Sequence, residues 1–173
     1  MRKTKLHTTT DGFTLIELLL YVTLIGIFLS VLSFFFASSA SMRVKNQAED
    51  DVNQQAAFVM NLMTQTIRNA DGITTPTANN SATSAALTVP TAANSPTIFQ
   101  LSGSTLQIKE GSAAAVAITG SSVQISNLTF TNTSRASTPG SLQISFTLSA
   151  TAGSTQDEFN YSRTFTSSAS LRP

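Results

Sequence analysis

From Phe13 to Phe36 the chain is almost wholly apolar, and a single carboxylate, Glu17, interrupts the run near its start. About 20 such residues in a helix cross the hydrocarbon core of a bilayer. No Pro occurs before Pro76, and Gly26 is the only Gly between Gly12 and Gly72, so nothing in the polar stretch that follows stops the helix. From Val44 the apolar positions Val44, Ala48, Val52, Ala56, Val59, Met63, Ile67 and Ala70 recur every three or four residues, a stripe at helical period. Gln47, Asp50, Asn53, Asn61 and Arg68 fall largely off it. The pattern predicts one helix over 13–72, with 13–36 spanning a membrane and 44–70 amphipathic. Asp71-Gly72 is expected to end it, with Gly72 suited to a left-handed cap. A stripe of this kind needs cover, and within the subunit the C-terminal half is the available source.

That half reads as strands. Residues 73–96 are rich in Thr, Ala, Asn and Ser and carry Pro76, Pro90 and Pro96, which predicts a linker with one short strand over 86–89. Strands over 97–101, 105–109 and 114–119, separated by Ser102-Gly103-Ser104 and Glu110-Gly111, predict a three-stranded meander. Val123 and Ile125 alternate on one parity, Leu128 and Phe130 on the other, so a bulge is expected near Ser126-Asn127. Leu142, Ile144, Phe146 and Leu148 alternate cleanly with Gln143, Ser145 and Thr147. The final strand places Phe159, Tyr161, Arg163, Phe165, Ser167, Ala169 and Leu171 on one face. Arg163 among aromatics reads first as an edge-strand or snorkelling charge, and alternatively as a subunit contact. The expected fold class is α+β: a long N-terminal helix packed against an antiparallel sheet drawn from residues 86–171, with the sheet head over 97–173.

Glu17 is the residue this pattern leaves to be explained. A charge at bilayer depth costs roughly 2.5–3.5 kcal/mol on insertion scales, so it needs a partner. Three ordinary readings compete. A secretory signal would place its cleavage site at Ala37-Ser38-Ser39-Ala40, but its apolar region is about 7–15 residues, shorter than Phe13 to Phe36. A plain signal anchor fits the length and has no use for Glu17 or Gly12-Phe13. A buried core helix is disfavoured by the length of the run with so little polar interruption. Arg2, Lys3 and Lys5 before the span favour a cytoplasmic N-terminus, a bias that Arg43 and Lys45 beyond it weaken.

Composition narrows the function classes. The chain has 173 residues, no Cys and one His, His7, which lies ahead of the span. Beyond it there is no His or Cys, so the usual proton shuttle, the thiol nucleophile and their metal-ligating groups are missing, which predicts no enzyme activity and no cofactor. The net charge is +1, and from Ile73 onward only Lys109, Glu110, Arg135, Asp157, Glu158, Arg163 and Arg172 are charged, so no nucleic-acid partner is expected. Glu49-Asp50-Asp51 reads as a solvated helix face rather than a metal site, since adjacent helical residues point different ways. Asp157-Glu158 lacks a second acidic cluster nearby, and calcium takes six to eight oxygens.

The segment Gly12-Phe13-Thr14-Leu15-Ile16-Glu17, behind a short basic leader, resembles the N-terminus of type IV prepilins and pseudopilins. The run Met63-Thr64-Gln65-Thr66-Ile67-Arg68-Asn69-Ala70 is similar to the helix end of minor pilins of the W type and minor pseudopilins of the J type. The stretch from Tyr161 to Arg172 resembles their C-terminal strand. The resemblance implies a leader over 1–12, cut by a prepilin peptidase between Gly12 and Phe13, with N-methylation of the new Phe13 amine. It implies that Glu17 pairs with the Phe13 amine of a neighbouring subunit in a filament. Within one subunit, the same residues stand four apart on one helix face. The partners it implies are the peptidase, other pilin or pseudopilin subunits, an inner-membrane assembly platform and, before assembly, lipid. The implied location is a single pass through the inner membrane, cytoplasmic N-terminus and external head, followed by an extracellular or periplasmic filament.

Two departures mark the chain off from major pilins. There is no Cys for the disulfide-closed loop many of them carry, and Phe34 stands where a Pro is common. Glu17 is present, whereas the tip-most pseudopilin typically lacks that carboxylate. The expected role is thus a minor subunit that assists assembly of a type IV pilus-like or type II secretion-like filament. The alternative is a filament-borne binding module for adhesion or DNA uptake, and the near-neutral head favours adhesion of these two.

Overall fold

A computed structural model describes residues 12–136, 138–151 and 161–172, apart from the side chains of residues 40, 41 and 44. Residues 1–11 of the expected leader, Asp157-Glu158, Phe159 and the Val44 side chain therefore lie outside the described residues. The chain forms two compact units, Met1–Arg43 and Val44–Pro173. Helix α1, Leu15–Arg68, contributes to both.

In the first unit α1 is a bare apolar rod. Leu15–Ser39 has a mean hydropathy of 2.5 and none of it is buried, so by length and composition it can cross a membrane. Gly26 does not interrupt it, and a Cβ at that position would meet nothing. The helix starts two residues later than the apolar run, because Thr14 caps it.

In the second unit the predicted stripe is the floor of the core. Val52, Val59, Met63 and Ile67 are fully buried, with Ala56 and Ala70 nearly so. They pack with Leu87, Phe99, Leu106, Phe130, Ile144 and Phe146 in one cluster. The α+β class is as the patterning predicts, but the single expected sheet is two. One has the order β1(Gly72–Thr75), β3(Ala85–Thr88), β4(Thr97–Ser102), β5(Thr105–Glu110), β6(Val116–Ala117). The other has β2(Ser81–Ala82), β7(Val123–Asn132), β8(Ser141–Ala150), β9(Ser162–Ser170). All neighbours pair antiparallel.

The linker expected over 73–96 is also corrected, since besides the short strand expected over 86–89, which is β3 and starts one residue earlier, it supplies β2 and most of β1. Ala85 and Leu87 are fully buried and pair with Phe99 and Thr97 of β4. The prolines and small residues that suggested a loop lie between these strands. The buried Asn132 fixes the loop that follows β1: its Nδ2 donates to the Pro76 carbonyl at 2.7 Å, and its Oδ1 accepts from Ser134 N–H at 3.0 Å. Backbone bonds Asn79 N to Asn132 O (2.8 Å) and Asn132 N to Asn80 O (2.9 Å) complete the clamp.

Gly72 is not a left-handed cap either. α1 ends at Arg68, and Gly72 opens β1 opposite Thr88. The N–H of Asp71 donates to the Thr88 carbonyl at 2.8 Å, so the chain passes from helix straight into strand pairing. Among the described residues, the glycines with positive φ are Gly103 (62°) and Gly111 (53°), at the two turns of the predicted meander. A Cβ on Gly111 would also overlap the Ala93 carbonyl oxygen.

The bulge is where alternation placed it. The β7–β8 register shifts between Ser126 and Thr129, and Asn127 takes φ 52°. The outward face of this sheet is a field of hydroxyls. Ser81–Thr131 (2.8 Å), Ser145–Thr166 (3.3 Å) and Thr147–Thr164 (2.9 Å) bond across strands. β9 is an edge, and Arg163 behaves as an edge charge. Its Nη1 donates to Asn53 Oδ1 at 3.4 Å, and its guanidinium lies 5.4 Å from the Phe165 ring centroid. Phe165 in turn packs on Phe146 with ring centroids 5.9 Å apart.

Candidate functional site at the start of α1

The site is built by the first two turns of α1 and the three residues before them. Gly12, Phe13 and Thr14 are exposed and outside the helix. Thr14 is the N-cap: its Oγ1 accepts the Glu17 N–H at 3.4 Å, and its carbonyl accepts from Glu17 (3.1 Å) and Leu18 (3.2 Å). With Glu17 three residues on, Thr14-Leu15-Ile16-Glu17 has the form of a capping box. A carboxylate in the first turn also meets the positive end of the helix dipole. The Gly12-Phe13 bond thus stands on exposed, non-helical chain just ahead of the helix start.

Gly12 has no steric duty in the fold, since an added Cβ would have nothing within 4 Å. Phe13 turns its ring toward Tyr21, with centroids 5.7 Å apart and planes at 47°. The Tyr21 hydroxyl donates to Glu17 Oε1 at 3.5 Å. The three residues singled out from the sequence, Gly12, Phe13 and Glu17, are therefore together, and the structure adds Thr14 and Tyr21. Both were within reach of sequence reasoning. The first completes a Thr-x-x-Glu box, and the second stands four residues after Glu17 on the same helix face.

The other hydroxyls of the span look inward to their own helix. Thr23 donates to the Leu20 carbonyl (2.8 Å), Ser30 to Gly26 (2.8 Å) and Ser33 to Leu29 (2.9 Å). Such back-bonding is what permits short hydroxyl side chains inside an apolar helix.

The head offers less. Among the described residues no group of His, Cys, Asp and Glu could hold a metal, and Glu49-Asp50-Asp51 does not converge. A cavity of about 470 Å³ beside Ser134, Arg135 and Ser170 has one charged lining residue, and another of about 290 Å³ beside Thr66, Asn69 and Thr97 has Glu110. Neither brings together an acid, a base and a nucleophile. Comparisons with protein-family models, with curated proteins and with solved structures find no match to this chain.

Proposed function

We propose that the chain is a minor pilin-like or pseudopilin-like subunit, cut between Gly12 and Phe13 and built into a type IV pilus-like or type II secretion-like filament. The observation that carries the reading is the conjunction at the head of α1. An unconstrained Gly and an exposed, non-helical Gly12-Phe13 bond precede an apolar rod that contains one carboxylate. A fold that gives Gly12 no steric role leaves recognition by a processing enzyme as its use. The bond is exposed and outside the helix, where a peptidase can engage it.

Cutting there frees a cationic amine on Phe13, and methylation at nitrogen keeps its charge. Glu17 is the one acidic group in the span, so in an apolar filament core it is the counterion for such an amine on a neighbour. An unpaired buried charge is strongly penalised, so this pairing selects the axial position while apolar packing supplies adhesion. The head suits close packing among subunits. Its outward sheet face is neutral and hydroxyl-rich, and it carries no strong single-sign field.

Glu17→Gln tests the assembly step in the full chain. Cleavage and membrane insertion are expected to be unchanged, since neither uses the charge. The loss in the filament is about 3–5 kcal/mol for a fully buried pair. Immunoblots of membrane and sheared-filament fractions should show the variant accumulating in the first and depleted from the second. Equal incorporation of variant and wild type would contradict a register role for Glu17.

A further inference from the structure

We propose that Tyr21 is the hydrogen-bond donor that holds the Glu17 carboxylate within the span, and that its ring keeps Phe13 on the same face of α1. Its bearing on assembly rests on the filament reading above; the contact itself does not.

Every other hydroxyl described between Leu15 and Ser33 is satisfied by its own helix, through the Leu20, Gly26 and Leu29 carbonyls. A tyrosine cannot do this, because its hydroxyl stands at the far end of a rigid ring, well away from the backbone. In hydrocarbon a phenol without a partner is costly, as is a carboxylate without one. Tyr21 and Glu17 stand one helical turn apart, and each answers the other's need at 3.5 Å. That distance is at the long end for any O–H···O bond. Moving the pair out of water removes the competing solvent and strengthens it.

A carboxylate has two oxygens and about four acceptor sites. With Tyr21 on Oε1, the rest of the group remains free for an amine. Tyr21 is thus a positioning residue: it fixes the rotamer of Glu17 and need not leave when a second subunit arrives. The Phe13 ring, 5.7 Å from the Tyr21 ring, and the Glu17 carboxylate thus meet one side chain.

The chain has two tyrosines and no tryptophan, so Tyr161→Phe leaves Tyr21 as the sole phenol. In full-length protein reconstituted in phosphatidylcholine nanodiscs, the Raman doublet of Tyr21 should report a strong donor. Adding Glu17→Leu, which keeps the helix apolar and removes the acceptor, should move the doublet to that of a phenol that has lost this bond. An unchanged doublet overturns the contact. In competition with wild type, Tyr21→Phe should be cut normally at Gly12 yet enter filaments several-fold less. It should cause no added loss in a Glu17→Gln background. Equal entry, or an additive loss, overturns the positioning role. If wild type itself enters no filament, the filament reading fails while the Raman result still decides the contact.

Discussion

The two stretches of α1 use the same apolar residue types and meet opposite fates. Leu24 in the first unit is 60% exposed, whereas Ile67 in the second is fully buried. The second stretch has a stripe, and two sheets of its own chain cover it. The first is apolar on every face, and nothing among the described residues covers any of it. A helix apolar all round calls for apolar surroundings on all sides, which a bilayer or a bundle of like helices supplies. The head completes its own core, and Leu15–Ser39 buries none of its apolar surface among the described residues.

The sharpest way to break that contrast is to damage the head alone. Phe146 is fully buried and stacks on Phe165, so Phe146→Ala should cost about 3–5 kcal/mol. Thermal unfolding followed by circular dichroism should show a large drop in Tm, while carbonate extraction still finds the chain in the membrane. The reciprocal change is Leu24→Arg. It should penalise insertion by about 2.5–3.5 kcal/mol and leave the melting of the head where it was. A common response of both readouts to either variant would mean that the two units are not independent in this sense. The smallest effect is expected at the sheet edge. Arg163→Ala removes one exposed hydrogen bond and one ring contact, and should lower head stability by less than about 1 kcal/mol. A larger loss, measured by urea unfolding, would make Arg163 part of the core rather than an edge charge.

Much of this was legible from local pattern. The stripe from Val52 to Ala70 repeats often enough to declare a buried helix face, and β7 and β8 alternate long enough to show even the bulge at Asn127. β1 and β2 were hidden because they are short and made of Gly, Ile, Thr, Ser and Ala with none of them fully inside, whereas the short strand expected over 86–89 is β3. Their identity comes from partners distant in sequence, such as Phe130 opposite Ala82, and no local window contains that pairing. The same limit hid the division into two sheets, in which β6 ends one sheet beside β5 while β7 starts afresh between β2 and β8. At the site, Glu17 was conspicuous because it breaks an apolar run. Tyr21 was not, because an aromatic residue in a hydrophobic span reads as one more apolar position until its hydroxyl is placed.

Processing at the Gly12-Phe13 bond is the step from which methylation of Phe13 and its pairing with Glu17 would both follow. The full chain should be produced in cells with and without a prepilin peptidase, and its intact mass and N-terminal sequence determined. With the peptidase, the mature protein should begin at Phe13 and carry one added methyl group. Without it, the leader should remain. A mature N-terminus after Ala40, or a chain that keeps its leader in the presence of the peptidase, would contradict the account.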